Sequence, residues 1–487
     1  MSRTPEKSFL ALLFFAGLSF LLFAFSPGSI RQVGYAGEEM DAGNSLLKTV
    51  LSILPGRAPA TKIIWTRHGV FPLIVDAPFL AAGNLFKDAE NWQDRFLACR
   101  PILLTAGMAT ILFLWTWRLT AEAMWSLSVA ILSVFSTILL PYAYIGLEDT
   151  QSFFLLLAAY IAFEDRPLES WARTIMFAGS AAFAVSLKST GVFLIPAAGF
   201  LVFVAFRGSI RRIVVVSVVV ATALGLSAIS RAPFWAPRGG NWAFMKPFIV
   251  PDPVYYLANL FAFLFSANKG LFFFCPILLG AVITLPRLWR LHRELVIVAL
   301  LVVGAQAGAF SMLRNWGDET WGPRYLHPAV SFLVLCLGAG WVRGLRPLIV
   351  LPAGVGCIFA MLGSFFYYGN LNFAMTEAGQ DTLENLQGDI VWNHIRFDGR
   401  LFWIWATRPT PPVLHTPAHQ WFYYAPPAAG WKTIEISKYA VPQSLAIRSW
   451  SERLSGDALW LSRVEWVSLG LGVILLASLA GLIRGAT

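Results

Sequence analysis

Stretches of about 16–24 apolar residues recur along the whole chain, and no other feature constrains its folding as strongly. A helix rises 1.5 Å per residue, so roughly 20 such residues match the hydrocarbon core of a bilayer. Composition points the same way. Of 487 residues, 57% are hydrophobic and only 13% charged, too little polar surface to keep a chain of this size dispersed in water. The sequence therefore predicts an all-α polytopic membrane protein.

Taken in order, the apolar runs place spans near 9–26, 97–117, 123–143, 150–164, 173–187 and 191–206. A second set follows near 212–230, 270–286, 295–313, 327–342, 346–368 and 465–483. That makes about twelve membrane helices by length alone. Arg3 and Lys7 precede the first run as in a signal peptide, but Ser26-Pro27-Gly28 lacks a small-x-small cleavage pattern, so the run reads as an uncleaved first span.

Basic residues supply an independent frame. With the N-terminus in the cytoplasm, the inside links carry Arg118, then Arg166 and Arg173, then Arg207, Arg211 and Arg212. Next come Arg287, Arg290 and Arg293, then Arg343 and Arg346, and finally Arg484. This satisfies the positive-inside rule, and a shift by one span would reverse it. Both termini are then expected in the cytoplasm of a bacterial inner-membrane protein. The net charge of +10 is accounted for by these links, not by a basic groove or tail, so nucleic acid is not an expected partner. Cys99, Cys275, Cys336 and Cys357 show neither metal-ligand spacing nor a disulfide framework.

Two outside segments are too long to be turns. The first, about 27–96, contains the proline-broken apolar piece Val70–Phe79, too short for a span and expected to form helices at the interface. The second, 369–464, is rich in Trp, Tyr, His and Pro and reads as a periplasmic loop or small domain. The expected organisation is a transmembrane core over 1–368, this loop, and a last helix with its tail over 465–487. No internal repeat is visible, which weakens an inverted-repeat transporter.

In that frame the unusual polar residues fall on one face. They are Glu38, Glu39, Asp41, Arg67 and His68 in the first loop; Glu148-Asp149 before the fourth span; Lys188 after the fifth; Arg238 and Lys269 before the eighth. The turn after the ninth adds Arg314 through Tyr325, including Trp316, Asp318, Trp321 and Arg324. Singly, each has an ordinary explanation. Glu38 and Glu39 could be a solvated loop, and Glu148-Asp149 could cap a helix. Lys188, Lys269 and Arg324 could snorkel to headgroups, and His68 could be packing or loop.

Jointly they suit transfer of a sugar from a polyprenyl phosphate. A carboxylate takes the proton of the attacking hydroxyl, and fixed cations stabilise the departing phosphate. The lipid tail stays in the bilayer, which gives many spans a purpose.

At these residues the chain resembles the GT-C superfamily of integral membrane glycosyltransferases, in particular protein O-mannosyltransferase, aminoarabinose transferase and bacterial galacturonosyltransferase-like members. Gly37-Glu38-Glu39 followed by Asn44-Ser45-Leu46-Leu47 is similar to the family's acidic pair, with Glu38 where Asp is usual. Arg67-His68-Gly69 and Leu73 through Phe79 resemble its interfacial helix, and Glu148 stands where it places a second acid. Asn268-Lys269-Gly270 with Pro276, and Trp321-Gly322-Pro323-Arg324-Tyr325, resemble two further stretches; the likeness covers roughly 30–345.

The resemblance implies an inverting transfer on the periplasmic face, with Glu38, Glu39 and Glu148 as catalytic acids and the choice of base within the pair open. It implies that Lys269 and Arg324 hold the phosphate, with Lys188 and Arg238 beside them. His68, Trp316, Trp321, Tyr325 and Asp318 would contact substrate. The acceptor would be an envelope glycolipid, a glycan or a protein. Some relatives bind a divalent cation at such acids, so Mg or Mn at Glu38, Glu39 and Glu148 is an open expectation. An O-antigen ligase or polymerase, with weight on His415 and His419, and a lipid-linked-sugar transporter or flippase are the rival readings.

Overall fold

A computed structural model describes residues 4–26, 66–146, 148–163, 170–238, 246, 249–313, 321–340, 346–366, 371, 394–407 and 456–486. Glu38, Glu39, Asp41, Trp316 and Asp318 lie outside these residues, as do His415 and His419. Among the described residues the fold is helical, apart from one isolated bridge between Ile249 and Leu313.

The helices are α1 (Thr4–Ala24), α2 (Val70–Gly83), α3 (Ala89–Thr120), α4 (Ala123–Phe135), α5 (Leu139–Ile145), α6 (Asp149–Ala162), α7 (Trp171–Ser186), α8 (Ile195–Phe206) and α9 (Ile210–Trp235). Then follow α10 (Pro253–Phe265), α11 (Leu271–Phe274), α12 (Leu279–Leu291), α13 (Arg293–Phe310), α14 (His327–Ala339), α15 (Arg346–Phe365), α16 (His394–Thr407) and α17 (Gly456–Ala486). Short 3-10 turns lead into α8, α12 and α14 and extend α9.

Among the described residues, six helical segments are long and apolar enough to cross a membrane: those at 7–24, 91–120, 189–206, 210–235, 293–310 and 462–484. The pair α4–α5, bent by 57°, would make a seventh. The other apolar runs are shorter or interrupted helices. Helix α10 lies outside the apolar runs that the sequence places as spans. It is 13 residues long and is capped by Asp252, whose side chain accepts from the Val254 N–H, with Pro253 in the first turn.

Helix α14 lies at the centre, with every one of its residues buried. It packs on α3, α6, α12 and α13, as a helix apolar all round must. Around it, α7 packs on α6 and α9, α2 on α3, and α1 on α17.

The two ends of the bundle differ chemically. At one end Arg118 donates to the Phe163 carbonyl and Arg207 pairs with Glu294 at 2.8 Å, while Arg211 and Arg212 lie over Trp171. These are links in which the sequence places inside arginines. Among the described residues, Glu148, Asp149, Lys188 and Arg324 gather at the opposite end.

Candidate functional site

Glu148 precedes the first turn of α6. Its side chain makes no capping hydrogen bond, so helix capping does not account for it. Instead Oε1 accepts from Lys188 Nζ at 3.1 Å and faces Arg324 Nε at 3.7 Å. All three side chains are largely shielded, at 5%, 16% and 12% exposure. Lys188 comes from the turn after α7 and Arg324 from the 3-10 turn before α14, so three separate links converge on one carboxylate. Neither cation extends outward as a snorkelling residue would.

The neighbouring Asp149 is fully buried. Its Oδ2 accepts from Thr150 at 3.3 Å, and its Oδ1 has no hydrogen-bond partner among the described residues. Arg100, eleven positions into α3, donates to Asp76 of α2 at 2.5 Å and to the Gly146 carbonyl at 2.6 Å. That buried pair fastens α2 to α3 immediately behind the acid.

His68 is positioned by a clamp. Arg231 near the end of α9 donates to the His68 carbonyl at 3.0 Å and to the Ser186 carbonyl at 2.6 Å. Trp235 donates to the Arg67 carbonyl at 3.3 Å, and the Val70 N–H donates to Ser230 Oγ at 3.1 Å. Gly69 turns the chain here at φ +77°, where a Cβ would lie 2.5 Å from Ser230 Oγ. Burial, then the charges of Lys188, Arg67, Arg231 and Arg324, hold the His68 pKa well below 6.5, so the ring is neutral at pH 7. His68, Arg100, Thr150, Gln151 and Lys188 line a cavity of about 30 Å³, large enough for water beside the acid.

Behind Glu148 lies a second polar layer. Ser152 Oγ donates to the Glu148 carbonyl at 2.9 Å and stands 2.6 Å from His327 Nδ1. The His327 ring meets Tyr142 at 5.2 Å, and Tyr142 donates to the Trp321 carbonyl at 2.9 Å.

The remaining expected site residues divide. Tyr325 is stacked on Phe310 at 3.9 Å, with the Arg324 guanidinium 4.7 Å from its ring centre. Trp321 is enclosed by Phe274 and His394, and a Cβ on Gly363 would lie 2.3 Å from its ring. It is thereby a packing residue, with no open face for a sugar. Lys269 is fully buried, and its charge acts on His394. The backbone of Arg238 lies in the 3-10 turn after α9.

A divalent cation does not fit at Glu148, because the carboxylate already faces two positive groups. Among the described residues no three His, Cys, Asp or Glu side chains form a metal-ligand cluster.

Sequence reasoning missed Asp76, Arg100, Arg231 and His327. Arg100 carried a signal, since a cation inside an apolar run needs a partner. Arg231 follows an apolar run directly and reads there as an ordinary flank.

Helices of this length and apolarity, with a shielded ionic cluster at one end, define an all-helical membrane protein. No protein-family model, curated protein or solved structure matches the chain.

Proposed function

We propose that this protein is an inverting glycosyltransferase of the GT-C type. It would move a sugar from a polyprenyl-phosphate donor to an envelope glycolipid, glycan or protein on the periplasmic side of a bacterial inner membrane. The observation that carries this reading is the convergence of Glu148, Lys188 and Arg324 from three links, with Asp149, His68 and Arg100 around them. Acids and cations packed together with little water suit a reaction that releases a phosphate and consumes a hydroxyl proton.

In the proposed step the acceptor oxygen forms a bond to the anomeric carbon as the bond from that carbon to the phosphate oxygen breaks. The lipid phosphate leaves with the electron pair. The hydroxyl proton passes to Glu38 or Glu39, and Glu148 orients the substrate through the cations it holds. Arg324 and Lys269 take up the phosphate charge. The twelve-span topology with cytoplasmic termini belongs to the same proposal, which the arginine-rich opposite end of the bundle supports. A transporter would need charges lining a path between both ends, whereas the shielded ionic groups described here collect at one.

The test is transfer of radiolabelled sugar from polyprenyl-phosphate donors by purified protein in lipid nanodiscs. Glu38→Gln is expected to abolish transfer while the chain stays folded and still binds donor. Full activity in both Glu38→Gln and Glu39→Gln would remove the acidic pair from the mechanism.

A further inference from the structure

The cavity beside Glu148 is selective in what it can hold. Its wall combines His68 from the link before α2, Val75 of α2, Arg100 of α3, Thr150 and Gln151 from the first turn of α6, and Lys188 from the turn after α7. At about 30 Å³ it has room for about two waters, whereas a benzene-sized ring needs about 150 Å³. The cavity is partly open, so a short arm can enter it while the ring that carries the arm stays outside.

Both cations in the wall are already matched by acids. Lys188 donates to Glu148 at 3.1 Å, and Arg100 donates to Asp76 at 2.5 Å and to the Gly146 carbonyl at 2.6 Å. An entering anion would have to compete with carboxylates that the fold holds in place, and would carry its own desolvation cost. The rest of the polar wall is neutral and offers both donors and acceptors. His68 Nδ1 is buried with no hydrogen-bond partner among the described residues. Burial and the surrounding cations keep the ring neutral, and a neutral imidazole has one donor and one acceptor nitrogen. Thr150 gives its proton to Asp149 Oδ2 at 3.3 Å and keeps its oxygen lone pairs. Gln151 Nε2 donates to the Ala184 carbonyl at 2.9 Å, which leaves the side-chain oxygen as an acceptor.

A hydroxyl both donates and accepts, so it answers this set. A carboxylate only accepts, and a methyl group does neither. A hydroxyl set directly on a sugar ring would need the ring itself to enter. A hydroxymethyl group carries its oxygen one C–C bond further out, and its methylene can pack against Val75.

We infer that this cavity is a subsite for an uncharged hydroxymethyl arm, with His68, Thr150 and Gln151 reading the hydroxyl and Val75 packing on the methylene. The inference rests on the transferase reading for its ligand, the donor sugar, and names the class within it. Hexoses with a primary hydroxyl are preferred over pentoses, 6-deoxyhexoses and uronic acids.

The experiment measures binding of farnesyl-phosphate sugars to the full chain in nanodiscs by thermophoresis. Three matched sets, gluco, galacto and manno, each carry hydroxymethyl, methyl, carboxylate or hydrogen at C5. In the set that binds most tightly, the hydroxymethyl member should lead the methyl and hydrogen members by about 5–10-fold, the value of one neutral hydrogen bond. It should lead the carboxylate member by at least tenfold. His68→Leu removes the ring nitrogens, and Val75→Leu adds one methylene to the wall. Each should bring the hydroxymethyl and hydrogen members within twofold of one another; Val75→Leu, the milder change, serves if the His68 variant does not fold. Equal binding of all four members, no binding of any, tightest binding of the carboxylate, or an unchanged preference in both variants would overturn the subsite. Selective binding without transfer to any acceptor would sink the transferase reading alone. Transfer at rates indifferent to the C5 substituent would sink the subsite alone.

Discussion

Replacing Glu148 by Gln keeps the side chain's shape and removes the charge that Lys188 and Arg324 share. The two contacts, at 3.1 and 3.7 Å, are each worth about 5 kcal/mol of attraction at an effective dielectric of ~20, before desolvation is subtracted. Removing one partner of such a shielded pair typically costs about 3–5 kcal/mol, because the remaining charges keep their desolvation and lose their compensation. Here two cations would be left facing each other. The Gln carbonyl still accepts from Lys188, so the low end, about 3 kcal/mol, is expected. In thermal unfolding of the purified chain this is a fall in Tm of roughly 5 °C, scaled down from smaller domains.

Lys188→Met and the double variant complete a cycle. The two changes should be coupled by about 1–3 kcal/mol, since residues in one ionic network are not additive. A Tm within about 1 °C of wild type for Glu148→Gln, together with additive changes in the double variant, would mean that the three side chains are solvated independently. The convergence on which the site is built would then be wrong.

Two other outcomes are expected. Gly69→Ala forces a Cβ into a left-handed turn and against Ser230 Oγ, so a loss of about 1–3 kcal/mol and a loosened α2–α9 contact, read as faster hydrogen exchange at Val70, should follow. For pH, His68 has its folded pKa depressed, so the unfolded chain binds the extra proton first. Its share of stability is full above about pH 6.5 and falls as pH drops through 6.5 towards the lower folded value. Tm measured from pH 7.5 to 5 should therefore decline, and less steeply in His68→Asn; an identical slope in that variant would show that His68 is not held neutral.

Much of this protein was legible before any coordinates. Chains whose apolar runs match a bilayer must be helical membrane proteins, because the length of each run and the scarcity of charge leave few other ways to satisfy the backbone. Arginine clusters separated the links into two sets, and the other set held Glu148, Lys188 and Arg324, which the fold brings together. Runs and charges are local, so the sequence displays them directly.

Partnership is not local, and only the tertiary structure decided it. Glu148, Lys188 and Arg324 stand at positions forty and more residues apart, and nothing in their flanks says that one carboxylate serves both cations. Nor could flanks show that Trp321, one of a run of aromatic candidates, is walled in by Phe274, His394 and the bare face of Gly363, or that both ring nitrogens of His394 are buried with no hydrogen-bond partner among the described residues. Composition placed this chain in a membrane; the meeting of distant helix ends, where burial removes water from whatever charges happen to face each other, decided which of its polar residues form a site.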